Sequence, residues 1–301
     1  MPYALDIIIP TFGRPSNIES LVSALYHQIR ENDTITVVWQ GYTRPALSPR
    51  ERLLIVHSSP PNLPLARNKG IKEGNNDIVF FIDDDVVPEE GLLEAHRKMY
   101  ADPEIGAVAG RLKDPAFDGS QGVPSLIDFQ TGDCRQDFAV PASQESISMM
   151  GANMSVRRSV FEKTGMFDTN FRHNAWWEDI DMSLRIRNAG YKIRYCADAR
   201  AVHMRESDGG CRQDRGNAYL FHQFANTAYF ACKHVPLKYW PGWIRFWKYR
   251  LEYLSRTGRP VNGRRSHSPW KVLSGIFGAC AGWLRNFRNL LPVSVSTDNH
   301  R

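Results

Sequence analysis

The sequence predicts an α/β fold: a mostly parallel sheet flanked by helices, with a helical extension at the C-terminus. Three observations carry that expectation. Ile78 to Ile82 is a β-branched and aromatic run without polar alternation, the mark of a strand covered on both faces. Up to about Leu112, apolar runs of this kind alternate with helix-like segments, as parallel strands joined by helical crossovers require. The strands also end in polar residues, namely Thr11, Gln40 and Asp83-Asp84-Asp85. Open parallel sheets bind ligands beyond those carboxyl ends, so the three ends can share one crevice.

Taken in order, Leu5 to Thr11 reads as a buried strand closed by Pro-Thr. Ser16, with Glu19 three residues later, makes a capping box ahead of a helix through Leu21, Val22, Leu25 and Ile29. Thr34 to Trp39 and Leu53 to Val56 are the next strands, and Pro64 to Glu73 is a helix stopped by Gly74. After the strand from Ile78 come a helix over Glu89 to Tyr100 and a strand over Ala107 to Leu112. From Lys113 to about Gln144 the pattern dissolves into Gly, Pro, Asp and Ser, and a loop that long is usually functional or mobile. Order returns at Ser148 to Val156, followed by a short helix near Val160, a helix over Glu178 to Asn188 and a strand over Tyr191 to His203. Arg205 to Gly216 is polar and Gly-rich, suited to a lid.

Length and composition bound the function. A chain of 301 residues, 42% apolar and 23% charged, can bury one large core and a smaller appendage. The net charge of +6 is uneven: from Lys233 onward there are 13 Lys/Arg against 2 Asp/Glu, so the body before it is mildly acidic. A nucleic-acid reader would carry its positive face on the folded module, so no nucleic-acid partner is expected. A basic, aromatic tail suits an anionic membrane surface instead. The five cysteines are scattered and odd in number, which argues against a disulfide framework or a structural zinc and for a reducing compartment. Met1-Pro2 leads almost directly into a strand, with no secretory pattern, and Val272 to Leu284 is too short to cross a bilayer. The expected location is cytoplasmic, peripheral at the inner face of the cell membrane.

Three adjacent carboxylates at a strand tip repel one another unless a cation sits among them, and oxygen-rich clusters suit Mn²⁺ or Mg²⁺. A solvated acidic turn is the plainer alternative. With a period of two, Asp83 and Asp85 lean one way and Asp84 the other. The usual anionic client of such a metal is a nucleotide diphosphate, and the turn Pro10-Thr11-Phe12-Gly13-Arg14 can bring backbone close to it. Arg67, Asn68 and Lys69 stand near a helix start, poorly placed for the dipole and therefore candidates for nucleotide phosphate or ring; a solvated helix face is the alternative. Trp176 and Trp177 precede Glu178 and form a platform for the apolar face of a sugar. Asp181 has Arg185 four residues on, a surface ion pair, which leaves Glu178 and Asp179 for chemistry. His203 closes the last strand; a lone His is more often structural, but here a carboxylate metal site needs further ligands, and imidazole would favour Mn²⁺.

These blocks together resemble a family 2 glycosyltransferase of the GT-A, Rossmann-like fold. The resemblance runs from about residue 4 to 235, through Ile7 to Arg14, Ala66-Arg67-Asn68-Lys69-Gly70, Phe81 to Asp85, Gly151 to Ser155, Gly165 to Asp168, Glu178 to Asp181 with Arg185, and His203. It implies a catalytic domain over 1–235, with nucleotide-sugar binding over about 1–112 and acceptor binding over 113–235, followed by a basic aromatic helical tail over 236–301. It further implies Asp83 as donor-ribose and metal-site acid, Asp84 beside it on the donor side, Asp85 and His203 as metal ligands and Asp179 as general base. Pro10, Thr11, Phe12, Arg14, Gln40, Arg67 and Asn68 fall to the donor; Asn153, Asp168, Trp176, Trp177 and Glu178 fall to the acceptor. The reaction implied is metal-dependent inverting transfer of a sugar from a nucleoside-diphosphate sugar to a hydroxyl of a glycan or lipid-linked acceptor. Gln40 departs from the pattern, because the family commonly has an acid there to read the nucleobase; Gln can still donate and accept.

The run Tyr239 to Arg250 mixes Trp and Tyr with cations, as at a membrane interface; packing on the catalytic domain is the alternative. Two rival functions remain. A nucleotidyltransferase would need a Gly-rich, basic phosphate loop after the first strand, which Phe12-Gly13-Arg14-Pro15 supplies poorly. A non-catalytic sugar-binding module would not need both a metal site and a separate base.

Overall fold

Seven residues from Leu5 to Thr11 form strand β1, every one of them buried, and the sheet is built outward from it. The computed structural model describes residues 3–14, 18–113, 122–206, 209–210, 217–257 and 269–290, with backbone alone at 249–257, 269–272 and 287–290. The expected cap at Ser16, most of the expected lid (207–208 and 211–216) and residues 114–121 lie outside the described residues.

In chain order the elements are β1, α1 (Ile18–Tyr26), β2 (Thr34–Trp39), β3 (Leu53–His57), α2 (Leu63–Glu73), β4 (Ile78–Ile82), β5 (Val86–Pro88) and α3 (Leu92–Met99). There follow β6 (Ile105–Lys113), β7 (Ser125–Ile127), β8 (Cys134–Gln136), β9 (Gln144–Ser146), β10 (Asn153–Arg157), α4 (Val160–Thr164), α5 (Glu178–Asn188) and β11 (Lys192–His203). Three helices complete the order: α6 (Asn217–His234), α7 (Trp240–Thr257) and α8 (Pro269–Leu290). The sheet runs β3-β2-β1-β4-β10-β6-β11-β5, with β9 pairing β11. β1, β2, β3 and β4 are mutually parallel, as are β6 and β11, while β10 and β5 run the other way. The sheet is mostly parallel, as expected, with β10 inserted antiparallel between β4 and β6. The stretch read as an unbroken loop from 113 to 144 contains the β7–β8 hairpin and leads into β9.

A buried polar chain crosses this sheet. The Asn153 amide nitrogen donates to the carbonyls of Arg111 and Ala199, so its Oδ1 must accept from His96 Nε2. His96 Nδ1 then accepts from Ser155 Oγ, and Tyr100 donates to Ser155. A Cβ on Gly110 would fall 2.3 Å from the Asn153 amide, so bare backbone is needed there. Asn153 was expected at the acceptor; both ends of its amide are instead spent in the core. Burial holds His96 neutral, lowering its pKa from 6.5 to about 4. The unfolded chain therefore binds one more proton than the folded one between those values. Stability should be full above pH 6.5 and fall by about 3 kcal/mol as the pH drops toward 4. Urea unfolding across that range checks this, with His96→Gln expected to lose that part of the slope.

A second apolar core joins Phe171, Trp177, Ile180, Tyr229, Phe230 and Trp243. Trp243, within the run expected at a membrane interface, is buried there and donates to the Phe129 carbonyl at 2.8 Å. α8 lies close on α6, where a Cβ on Gly278 would meet the Phe221 carbonyl oxygen at 2.2 Å. The described residues of α7 and α8 thus pack on the body of the protein. Among the described residues no helix is long and apolar enough to cross a membrane.

Candidate active site

β4 delivers its three carboxylates at the carboxyl end of the sheet, where a tight turn (Val86 N to Asp83 O, 3.3 Å) starts β5. Both carboxylate oxygens of Asp84 are engaged: Thr11 Oγ1 donates to its Oδ2 and Arg14 Nη1 to its Oδ1, each at 2.7 Å. Burial raises its pKa to about 6, with Arg14 pulling the other way. Asp83 and Asp85 converge across this turn, and with His203 their ligand atoms all lie within 4.8 Å of one another. His203 reaches them because β11 pairs antiparallel with β5, which sets His203 opposite Val86. Its Nε2 is 3.2 Å from Asp85 Oδ1. Two carboxylates and an imidazole are a donor set that fits Mn²⁺ better than Mg²⁺. Arg14 also lies 3.2 Å from Asp85 and ties down the chain beyond β11, donating to the carbonyls of Glu206 and Gly209.

Two cavities meet at this point. The first, of about 830 Å³, is lined by Pro10, Phe12, Arg14, Gln40, Asp83 to Asp85 and His203. Gln40 Oε1 accepts from the Asn62 backbone N–H at 2.7 Å, which fixes its side chain in the wall of this cavity. The second cavity, of about 500 Å³, shares Asp83 and His203 and adds Arg67, Gly151, Trp176, Trp177, Glu178 and Asp179.

Asp179 stands at the start of α5, its Oδ2 accepting from Gly151 N at 3.2 Å and its Oδ1 from Ile180 N at 2.8 Å. Burial raises its pKa above the ordinary carboxylate value, against the pull of Arg67. Arg67 is buried in the wall of the second cavity; it is hydrogen-bonded to Glu178 and lies 3.3 Å from Asp83. Both carboxylates hold it in its charged form against the cost of burial. Its guanidinium lies against bare backbone, since a Cβ on Gly151 would fall 2.3 Å from Nη2. Arg67→Met would strand Glu178 and Asp83 without a cation and should cost about 3–5 kcal/mol, read from urea unfolding.

Several expected site residues lie elsewhere. Thr11 works through Asp84. Asn68 exchanges hydrogen bonds with the Phe167 backbone (2.8 and 2.9 Å) and lines neither cavity. Asp168 is engaged by Tyr229 and Lys233, each at 2.8 Å, and also lines neither. Arg67 belongs to the second cavity rather than the first. The two indoles do not form one platform: the left-handed backbone at Trp177 (φ 79°) separates them. Trp177 stacks on Phe230 and donates to Thr227 at 2.9 Å, while Trp176 stays 41% exposed. Asp181 pairs with Arg185 as expected, but it is buried and also accepts from Lys233 and His234 at 2.7 Å, tying α5 to α6.

Other lining residues were missed. Pro60, Pro61 and Asn62 wall the first cavity, and Asn62 caps α2 by accepting from Leu65 N at 2.8 Å. Their position, Pro-Pro-Asn after a strand end and ahead of a helix, was a usable signal. Phe246 and Trp247 of α7 line the second cavity, and no local pattern announces that.

Comparison with known proteins agrees with this architecture. Residues 6–165 match the family model described as Glycosyl transferase family 2. The chain belongs to this family. It is 25% identical over 222 residues to the O-antigen biosynthesis protein RfbC of Myxococcus xanthus, covering 66% of this chain and 17% of that protein. It is 28% identical over 160 residues to the O-antigen chain rhamnosyltransferase WbaN of Salmonella anatum, covering 50% of this chain and 49% of that one. The chain thus spans half or less of the length of these family members. Among solved structures, GalNAc-T7 with UDP, GalNAc and Mn²⁺ superposes with a TM-score of 0.59 at 12% identity, over 94% of this chain and 56% of that one. At that identity the likeness speaks for the fold, which is GT-A.

Proposed function

We propose that the protein is a metal-dependent inverting glycosyltransferase that moves a sugar from a nucleoside diphosphate to a hydroxyl of a glycan or lipid-linked acceptor. The observation that carries this reading is the meeting of the two cavities at Asp83 and His203. A donor in the first cavity would present its anomeric carbon to an acceptor in the second. Asp179 takes the proton of the acceptor hydroxyl, the oxygen bonds to the anomeric carbon, and the bond to the diphosphate breaks with its electron pair leaving on the nucleotide. Attack from the face opposite the leaving group inverts the anomeric centre. Asp83, Asp85 and His203 would hold Mn²⁺ or Mg²⁺, which when bound neutralises negative charge on the diphosphate. Arg14 keeps Asp84 out of that ligand set, and Arg67 holds the metal-side and base-side acids at a constant separation. The names of the relatives, which concern O-antigen assembly, support a cell-surface polysaccharide as the product.

Thermal stabilisation by UDP, GDP, CDP and dTDP, each with Mn²⁺ or Mg²⁺, tests the donor half. One nucleotide should raise Tm only when metal is present. No shift with any of them, or an equal shift in a chelator, would defeat the reading. Transfer from the matching nucleotide sugar, with the product's anomeric configuration read by NMR, tests the rest.

A further inference from the structure

α8 has two unlike faces. Gly275, Gly278 and Gly282 are buried, and Gly278 and Gly282 let the helix backbone lie directly on carbonyls of α6. On the other side Leu273, Ile276, Phe277 and Leu284 recur at helical spacing and are exposed, Phe277 by 62% and Leu284 by 63%. The stripe continues onto α7. Trp283 lies 5.8 Å from Trp240 and 6.3 Å from Trp247 by ring centroid, and Ile244, on the same helical face as those two, is 56% exposed. Arg245 and Lys248 are exposed on the same helix, and α8 contains no acidic residue. An apolar surface of this extent marks an interaction site rather than ordinary solvent contact.

Charge decides the occupant. The charged side chains described on α7 and α8, Arg245, Lys248 and Arg285, are all cationic, so a second copy seated on this face would meet like charge. An anionic bilayer would meet opposite charge and also accept the apolar stripe. We propose that the α7–α8 face is a membrane-docking surface. It lies in the plane of an anionic leaflet, with Ile276, Phe277 and Leu284 at the acyl boundary and Arg245 and Lys248 among the headgroup phosphates. Trp243 is no part of the anchor, since it is spent on the second core. Phe246 and Trp247 of this helix wall the second cavity, so docking would bring that cavity to a lipid-linked acceptor. That consequence rests on the transfer reading, whereas the lipid contact does not.

Flotation of the full chain with phosphatidylcholine vesicles, with and without phosphatidylglycerol, tests the contact without any sugar substrate. The protein should float with the anionic vesicles and be released by high salt. Phe277→Ser with Leu284→Ser should weaken partition by about 10- to 100-fold, and Lys248→Gln by about fivefold. These side chains are exposed, so circular dichroism should be unchanged. Equal flotation with neutral and anionic vesicles, or none with either, overturns the proposal. So does wild-type self-association in gel filtration that Phe277→Ser abolishes, since a second copy would then cover the stripe.

Discussion

Asp179→Asn should lower glycosyl transfer by about 10²- to 10⁴-fold while leaving metal-dependent nucleotide binding close to wild type. The substitution keeps the shape of the side chain, and its Oδ1 can still accept from Ile180 N, so the start of α5 stays in place. What it removes is the proton acceptor. Asp179 lines only the second cavity, apart from the carboxylates that would hold metal, which is why the two readouts should separate. Single-turnover transfer alongside calorimetry with nucleotide and Mn²⁺ measures both. Near-normal turnover would remove Asp179 from the role. Nucleotide binding lost in parallel would mean that the two cavities do not work independently.

Asp85→Ala should have the opposite profile. It deletes one of the three ligand-bearing side chains that converge within 4.8 Å and leaves His203 without its neighbour at 3.2 Å. Even outer-sphere partners of metal ligands are worth about 10- to 100-fold in metal affinity, so losing a direct ligand should cost more than about 100-fold. It also removes one of the carboxylates that Arg14 pairs with. Calorimetry should show nucleotide affinity that no longer responds to Mn²⁺. Unchanged metal-dependent affinity would move the cation site elsewhere.

Much of the first cavity's lining was legible from local pattern, because where a buried strand ends in polar residues is a short-range property. The apolar run of β4 announces the three acids at its end, whereas it is the turn beginning there, not strand alternation, that binds Asp84 to Thr11 and Arg14 and leaves Asp83 and Asp85 with His203. Local pattern could say nothing of Asn153, whose amide is committed to carbonyls 42 and 46 residues away. Asn68 and Asp168 have polar side chains of the kind that serve ligands, yet their partners are a distant backbone and a distant helix.

Local sequence sufficed for the α/β class, the strand-end carboxylates and the helix that begins at Glu178. Each follows from steric and periodic rules acting over a few residues. Long-range pairing settled the rest: His203 joins the acids only because β11 runs against β5, and β10 enters the sheet antiparallel. It also sent the paired tryptophans into different surroundings and folded α7 against the second cavity, leaving the stripe on α8 outward. The reason is physical. Which apolar face is buried depends on the partners available to cover it, and those partners lie tens of residues away in the chain.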